Sequence, residues 1–201
     1  MKKNQLKPFI WMACIVFIFS VTYCQAQSKI FPESIYDVGM LTPTDTVLTL
    51  KVGDEAPQFI LPSIKGNKIS LTQYQGKKNV VLSFVPAAWT PVCSEQWPGY
   101  NITKDIFDKN DAILLGITVD NIPTLYAWTQ KMDLWFPVLS DFFPHGEVAK
   151  KYGILRSEGV SERALFIIDK RGIIQYIDVH DINKRPPFEN LVTALEKINI
   201  K

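Results

Sequence analysis

This sequence of 201 residues has few cysteines and histidines, and its net charge is small. It holds three cysteines and two histidines, and its formal net charge is only +2. His145 and His180 have no partners at metal-ligand spacing, so we expect no metal and no other cofactor. No basic excess is present to attract nucleic acid. No C-x-x-C pair occurs either, which argues against a disulfide oxidoreductase or a copper-delivery protein.

The first 26 residues have the layout of a secretory signal peptide. Three lysines lie within Met1–Lys7, an apolar stretch covers Phe9–Tyr23, and Ala26 ends a short segment suited to cleavage. Cleavage would change the charge from +2 to −1, because this segment holds three lysines and no acidic residue. We therefore expect an exported protein, periplasmic or secreted. An uncleaved membrane anchor and a lipid on Cys24 remain alternatives.

The cysteine count directs attention to a single thiol. Cys14 and Cys24 lie in the leader, so Cys93 is the one cysteine expected in the mature chain. A lone cysteine in an exported protein cannot form an internal disulfide, and it indicates a working thiol or pairing between molecules. A small buried hydrophobic side chain is the competing interpretation.

The remaining sequence predicts an extended lead-in over residues 27–51 and one domain over residues 52–201. Buried strands are indicated at Asn79–Val85 and Ala112–Val119, because both runs are continuous and rich in β-branched residues. Further strands and helices are predicted as follows: strands at 46–51, 58–61, 69–71, 136–139, 164–168 and 173–177, and helices at 90–109, 122–132, 146–152 and 187–198. This order is typical of an α/β protein of thioredoxin-like arrangement, with a central mixed sheet and helices on both faces.

Cys93 follows the first buried strand at a point where a helix is predicted to begin. Pro86 ends the strand, Thr90 has the residue type of an N-cap, and Pro91 suits the first helical position. Cys93 then takes the third position. Free N–H groups and the helix dipole favour an anion there, so the thiolate is favoured over the thiol.

The residues from Pro86 to Cys93 have the pattern P-x-x-x-T-x-x-C, which resembles the active-site motif of peroxiredoxins. The similarity extends from about Val52 to Ile198 and includes Val52–Pro57 and Phe136–Asp141. This resemblance implies a thioredoxin-like fold and hydroperoxide reduction by a cysteine.

The same resemblance assigns roles to the residues of the motif. Cys93 would attack the peroxide and become a sulfenic acid. Thr90 would place its hydroxyl on the peroxide and the sulfur, and Pro86 would shield the sulfenic acid from water. The backbone N–H groups of Val92 and Cys93 would bind the developing oxyanion.

Two residues outside the motif complete the expected site. Arg163, just before a predicted strand, matches the arginine that favours the thiolate and holds the peroxide; Arg156 is the other candidate. Gln96 stands where many peroxiredoxins have glutamate, so it could orient Arg163 without adding charge.

The expected partners follow from the missing second cysteine. A hydroperoxide would be the substrate, and an external thiol or a thioredoxin-like protein would reduce the sulfenic acid. The resemblance also implies a homodimer. A non-enzymatic thiol redox sensor, or a thiol-disulfide protein of the same fold, remains the alternative function.

Overall fold

The computed structural model describes residues 32–198. The chain divides into two units, residues 1–35 and residues 36–201, and in the first only a short 3-10 helix at Pro32–Ser34 is described. The predicted signal peptide, including Cys14 and Cys24, lies outside the described residues. Within the described range, no helix is long and apolar enough to cross a membrane.

Seven strands and five α-helices are described in the second unit. The strands are β1 (Ile60–Pro62), β2 (Lys68–Ser70), β3 (Asn79–Phe84), β4 (Ala112–Thr118), β5 (Val138–Ser140), β6 (Arg163–Ile168) and β7 (Ile174–His180). The helices are α1 (Pro91–Gly99), α2 (Lys104–Lys109), α3 (Ile122–Thr129), α4 (Glu147–Lys151) and α5 (Phe188–Ile198). Short 3-10 helices cover Leu71–Tyr74 and Tyr100–Thr103.

Five of the strands form one mixed sheet in the order β5-β4-β3-β6-β7, and β1 and β2 form a separate antiparallel pair. β3 lies at the centre, parallel to β4 and antiparallel to β6. All six of its residues are buried, because both faces of this strand are covered, as its unbroken apolar run predicts.

Two local predictions differ from the structure. No strand forms at Thr46–Lys51, and at its first residue the N–H of Thr46 donates to the carboxylate of Glu162 and not to a neighbouring strand. The long helix predicted over residues 90–109 is divided into α1 and α2 by the 3-10 helix. The division comes directly after Pro98 and Gly99. Proline has no backbone N–H to donate, and glycine lowers the stability of a helix.

The antiparallel pairing of β3 with β6 positions the candidate site. Phe84, the last residue of β3, lies opposite Ala164, so Arg163 at the start of β6 lies beside the point where the chain leaves β3. The chain then reaches α1 through residues 85–90. The end of one strand, the start of another and the first turn of a helix therefore meet at one edge of the sheet.

Candidate active site

Cys93 lies in the first turn of α1, at the third helical position, as the sequence predicts. Thr90 is the N-cap residue and Pro91 takes the first position. The Cys93 side chain is buried, with 1% of its surface exposed, and it is a free thiol. Burial alone would also fit a packing role, so the polar groups around the sulfur decide its chemistry.

The hydroxyl of Thr90 does not cap the helix. It donates to the carbonyl oxygen of Ala87 at 3.0 Å, and the side chain makes no bond to the first-turn N–H groups. Val92, Cys93 and Thr90 all line the same pocket. Because its proton is used by Ala87, the Thr90 oxygen can accept a hydrogen bond from a ligand there, while the first-turn N–H groups can donate.

Arg163 is the cation in contact with the thiol. Its Nη2 lies 3.4 Å from Sγ of Cys93, and its Nη1 donates to Oε1 of Gln96 at 2.5 Å. Nε and Nη2 both donate to the carbonyl oxygen of Ile182, at 3.1 and 3.0 Å. The side chain is buried, and these bonds hold its planar fork in one orientation beside the sulfur.

Gln96 connects Arg163 to polar groups deeper in the core. Its Nε2 donates to the hydroxyl oxygen of Tyr100 at 3.0 Å and to Oγ of Ser83 at 3.4 Å. Burial raises the pKa of Tyr100, so its phenol stays neutral and can accept this bond. The amide thus accepts from Arg163 on one side and donates on the other, which fixes its orientation.

Arg156, the other arginine considered from the sequence, lies elsewhere. Its Nη1 donates to Oε2 of Glu162 at 2.8 Å, and both side chains of this ion pair are fully buried. Its Nη2 donates to the carbonyl oxygen of Thr42 and to Glu158. Arg156 therefore neutralises the buried carboxylate of Glu162 and contacts the backbone of Thr42, whereas Arg163 contacts the thiol.

The segment between β3 and α1 is held in place by polar contacts. The N–H of Ala88 donates to Asp120 at 2.8 Å, and Asp120 also accepts from the hydroxyl of Thr118. Trp89 has a φ of 62°, in the left-handed region that a bulky residue rarely adopts. Pro86 is buried and lines the pocket beside Cys93. These contacts position the segment from which the first turn of α1 begins.

The thiol lies at a pocket of about 360 Å³. Pro86, Thr90, Val92, Cys93 and Arg163 all line it, so the structure brings together five of the six residues predicted for the site. Gln96, the sixth, contacts Arg163 from the core.

Sequence reasoning missed one wall of this pocket, which consists of residues 37–41. These residues have no regular secondary structure, and their sequence has neither strand nor helix periodicity. No local signal could have assigned them to the site.

Residues 52–177 match the model of the AhpC/TSA family. The chain belongs to the AhpC/TSA family. The matched region contains Pro86, Thr90, Cys93 and Arg163, and it begins after the wall formed by residues 37–41. The expected peroxiredoxin relationship is confirmed.

Individual AhpC/TSA relatives extend this result. Alkyl hydroperoxide reductase E of Mycobacterium tuberculosis is 35% identical over 131 residues, which are 65% of this chain and 86% of the relative. A chloroplastic 2-cysteine peroxiredoxin of Chattonella marina is 33% identical over 161 residues, 75% of this chain and 82% of the relative.

Solved structures of the family share the fold. The crystal structure of reduced Plasmodium vivax 2-Cys peroxiredoxin aligns with a TM-score of 0.70 and 29% identity, covering 75% of this chain and 82% of that chain. The predicted thioredoxin-like α/β class is thereby confirmed. Two of these relatives are named for two cysteines, whereas Cys93 is the one cysteine among the residues described here.

Proposed function

We propose that this chain reduces hydroperoxides by one-cysteine chemistry at Cys93 and is recycled by an external thiol. As a member of the AhpC/TSA family it is a thiol-dependent peroxidase. The observation that carries the finer proposal is the contact of 3.4 Å between Arg163 Nη2 and Sγ of Cys93, at a pocket that also presents the first turn of α1.

The first half-reaction uses these groups directly. The thiolate of Cys93 attacks the terminal oxygen of the hydroperoxide, an S–O bond forms and the O–O bond breaks. Arg163 and the N–H groups of Val92 and Cys93 stabilise the negative charge that develops on the departing oxygen. That oxygen takes up a proton and leaves as an alcohol, or as water when the substrate is hydrogen peroxide. Cys93 remains as a sulfenic acid.

The second half-reaction needs two equivalents of an external thiol. The first condenses with the sulfenic acid, which releases water and leaves a mixed disulfide on Cys93. The second attacks this disulfide, restores the Cys93 thiol and leaves the reductant as a disulfide. The support for an external reductant is the cysteine count, since Cys14 and Cys24 both lie in the segment expected to be removed.

Stopped-flow oxidation of the reduced protein by hydrogen peroxide tests the proposal. We expect oxidation far faster than that of free cysteine, with a sulfenic acid on Cys93 that dimedone traps. Cys93→Ser should abolish both signals. Oxidation no faster than that of free cysteine would refute the peroxidase mechanism and favour a slow redox sensor. Turnover retained in Cys93→Ser would show that another group reacts.

Export and dimerisation belong to the same proposal. Export is supported by the order of basic, apolar and cleavable segments in the first 26 residues. Mass spectrometry of the N-terminus of the protein from its native cell measures whether the chain begins after Ala26. The homodimer is supported by the family resemblance, and sedimentation of the purified protein measures it.

A further inference from the structure

Residues 36–46, which we term the strap, include residues 37–41, which form one wall of the pocket. The N–H of Tyr36 donates to the carbonyl oxygen of Trp89 at 2.7 Å at one end. At the other end, the N–H groups of Asp45 and Thr46 donate to Oε1 of Glu162 at 2.6 and 3.0 Å. The strap lies before residues 52–177, the region that matches the family model.

The middle of the strap is attached to the turn that follows β7. The N–H of Leu41 donates to Oδ1 of Asn183 at 2.9 Å, and Nδ2 of Asn183 donates back to the Leu41 carbonyl oxygen at 2.8 Å. The N–H of Ile182 donates to the carbonyl oxygen of Pro43 at 2.9 Å. Two backbone groups of Leu41 are thus satisfied by the Asn183 side chain, and the Ile182 N–H and the Pro43 carbonyl oxygen are satisfied by each other.

The groups that hold the strap also adjoin Arg163. Glu162 precedes Arg163 in the chain, and Ile182, which donates to the strap, accepts two bonds from Arg163 through its carbonyl oxygen. Ile182 therefore contacts both the strap and the cation beside the thiol. This arrangement gives the strap a defined position relative to the sulfur.

Four strap side chains line the pocket, of which Asp37 is charged and the other three are apolar. Val38, Met40 and Leu41 line it from the strap, and Val92, Val160 and Ile182 line it from the domain. Val38 and Met40 are 42% and 83% exposed, so both lie at the mouth and are free to contact an incoming ligand.

The pocket has room for a substrate larger than hydrogen peroxide. A volume of about 360 Å³ is many times the roughly 30 Å³ share of one water molecule, so hydrogen peroxide would leave most of it unfilled. It falls within the range of about 300 to 1,000 Å³ typical of pockets for organic ligands. An apolar wall contributes binding only to a substrate with an apolar group to bury.

We propose that the strap is the specificity-determining wall of the pocket, and that Val38 and Met40 bind the apolar group of an organic hydroperoxide while its terminal oxygen meets Cys93. This inference rests on the proposed peroxidase function and adds to it the residues that select the substrate. The products are those of the general reaction, with the organic group leaving as its alcohol.

The test compares two oxidants on the same protein. Rate constants for oxidation of Cys93 by cumene hydroperoxide and by hydrogen peroxide are measured for the wild type and for Val38→Ser/Met40→Ser. We expect the ratio of the cumene to the hydrogen peroxide rate constant to fall about tenfold in the double variant, since one apolar group in a pocket changes specificity roughly tenfold or more. Disturbance of the fold alone would lower both rate constants together.

Val47→Ser is the matched control. Val47 is 88% exposed, lies just after the strap and does not line this pocket. Its ratio should equal that of the wild type. An unchanged ratio in the double variant, or an equal fall in Val47→Ser, would overturn the inference and leave the peroxidase function intact. A wild type that reacts slowly with both oxidants would instead remove the peroxidase function, and the inference with it.

Discussion

Replacing Arg163 by methionine removes the cation beside the thiol while keeping a long apolar stem in its place. Two sets of contacts are lost. One is the approach of Nη2 to Sγ of Cys93 at 3.4 Å, and the other is the group of bonds to Gln96 and the Ile182 carbonyl oxygen. The first concerns reactivity and the second concerns stability, so the variant should change both in measurable ways.

The effect of Arg163→Met on reactivity follows from the distance between Nη2 of Arg163 and Sγ of Cys93. Unit charges 3.4 Å apart at an effective dielectric constant near 20 interact by about 5 kcal/mol. The part expressed only in the transition state is smaller, because the thiolate is already attracted before the reaction. Removal of one preorganised donor from an oxyanion site lowers rates by about 10² to 10³. We therefore expect Cys93 in Arg163→Met to be oxidised by hydrogen peroxide at least about 100-fold more slowly.

The effect of Arg163→Met on stability follows from the acceptors that would lose their hydrogen bonds from Arg163. Oε1 of Gln96 and the carbonyl oxygen of Ile182 would lose buried donors, at about 1–3 kcal/mol each in the free energy of unfolding. Unfolding in urea, followed by tryptophan fluorescence, measures this loss. Because domains are stabilised by about 5–15 kcal/mol in total, the kinetic assay belongs at low temperature, where the variant remains folded.

Two companion variants separate the effects. Arg163→Lys keeps the charge but cannot reproduce the fork, so its oxidation rate should lie between those of the wild type and Arg163→Met. Arg171→Met makes the same chemical change at an exposed arginine of the β6–β7 turn and should react like the wild type. An oxidation rate of Arg163→Met within a few-fold of the wild-type rate, in folded protein, would refute the assignment of Arg163 to the site.

Two further predictions follow from contacts near the thiol. Gln96→Glu should lower the oxidation rate by roughly threefold to tenfold, because a carboxylate beside Arg163 cancels part of its field at the sulfur; stopped-flow kinetics measures this, and an increased rate would contradict it. Gly116→Ala should lower the free energy of unfolding by about 1–3 kcal/mol, because the new Cβ would lie 2.8 Å from the buried ring of Trp97. Gly99→Ala is its control in urea unfolding and should not be destabilised, since nothing beyond the neighbouring residues and the backbone of its own helix lies within 4 Å of that Cβ position and alanine favours a helix more than glycine does.

The parts of the fold and site that the sequence predicts are those with a local physical signal. The apolar run at β3 and the Thr90–Pro91 pair indicate a strand and a helix start, and the structure has both within a residue or two. The same signal misjudged the Thr90 side chain, because residue type alone does not show that the hydroxyl donates to the Ala87 carbonyl oxygen and accepts no bond from the helix N–H groups. Local rules thus place the backbone more reliably than the hydroxyl.

The position of the strap could not be predicted from local sequence patterns, for a physical reason. Its attachments join residues far apart in the chain, since Leu41 pairs with Asn183 and Thr46 pairs with Glu162. A segment held by side chains more than a hundred positions away needs no periodicity, so its apolar residues resemble those of an unstructured linker. The structure therefore assigns Val38 and Met40 to the pocket, and a change in substrate preference should result from substitutions there without any change in the residues of the motif.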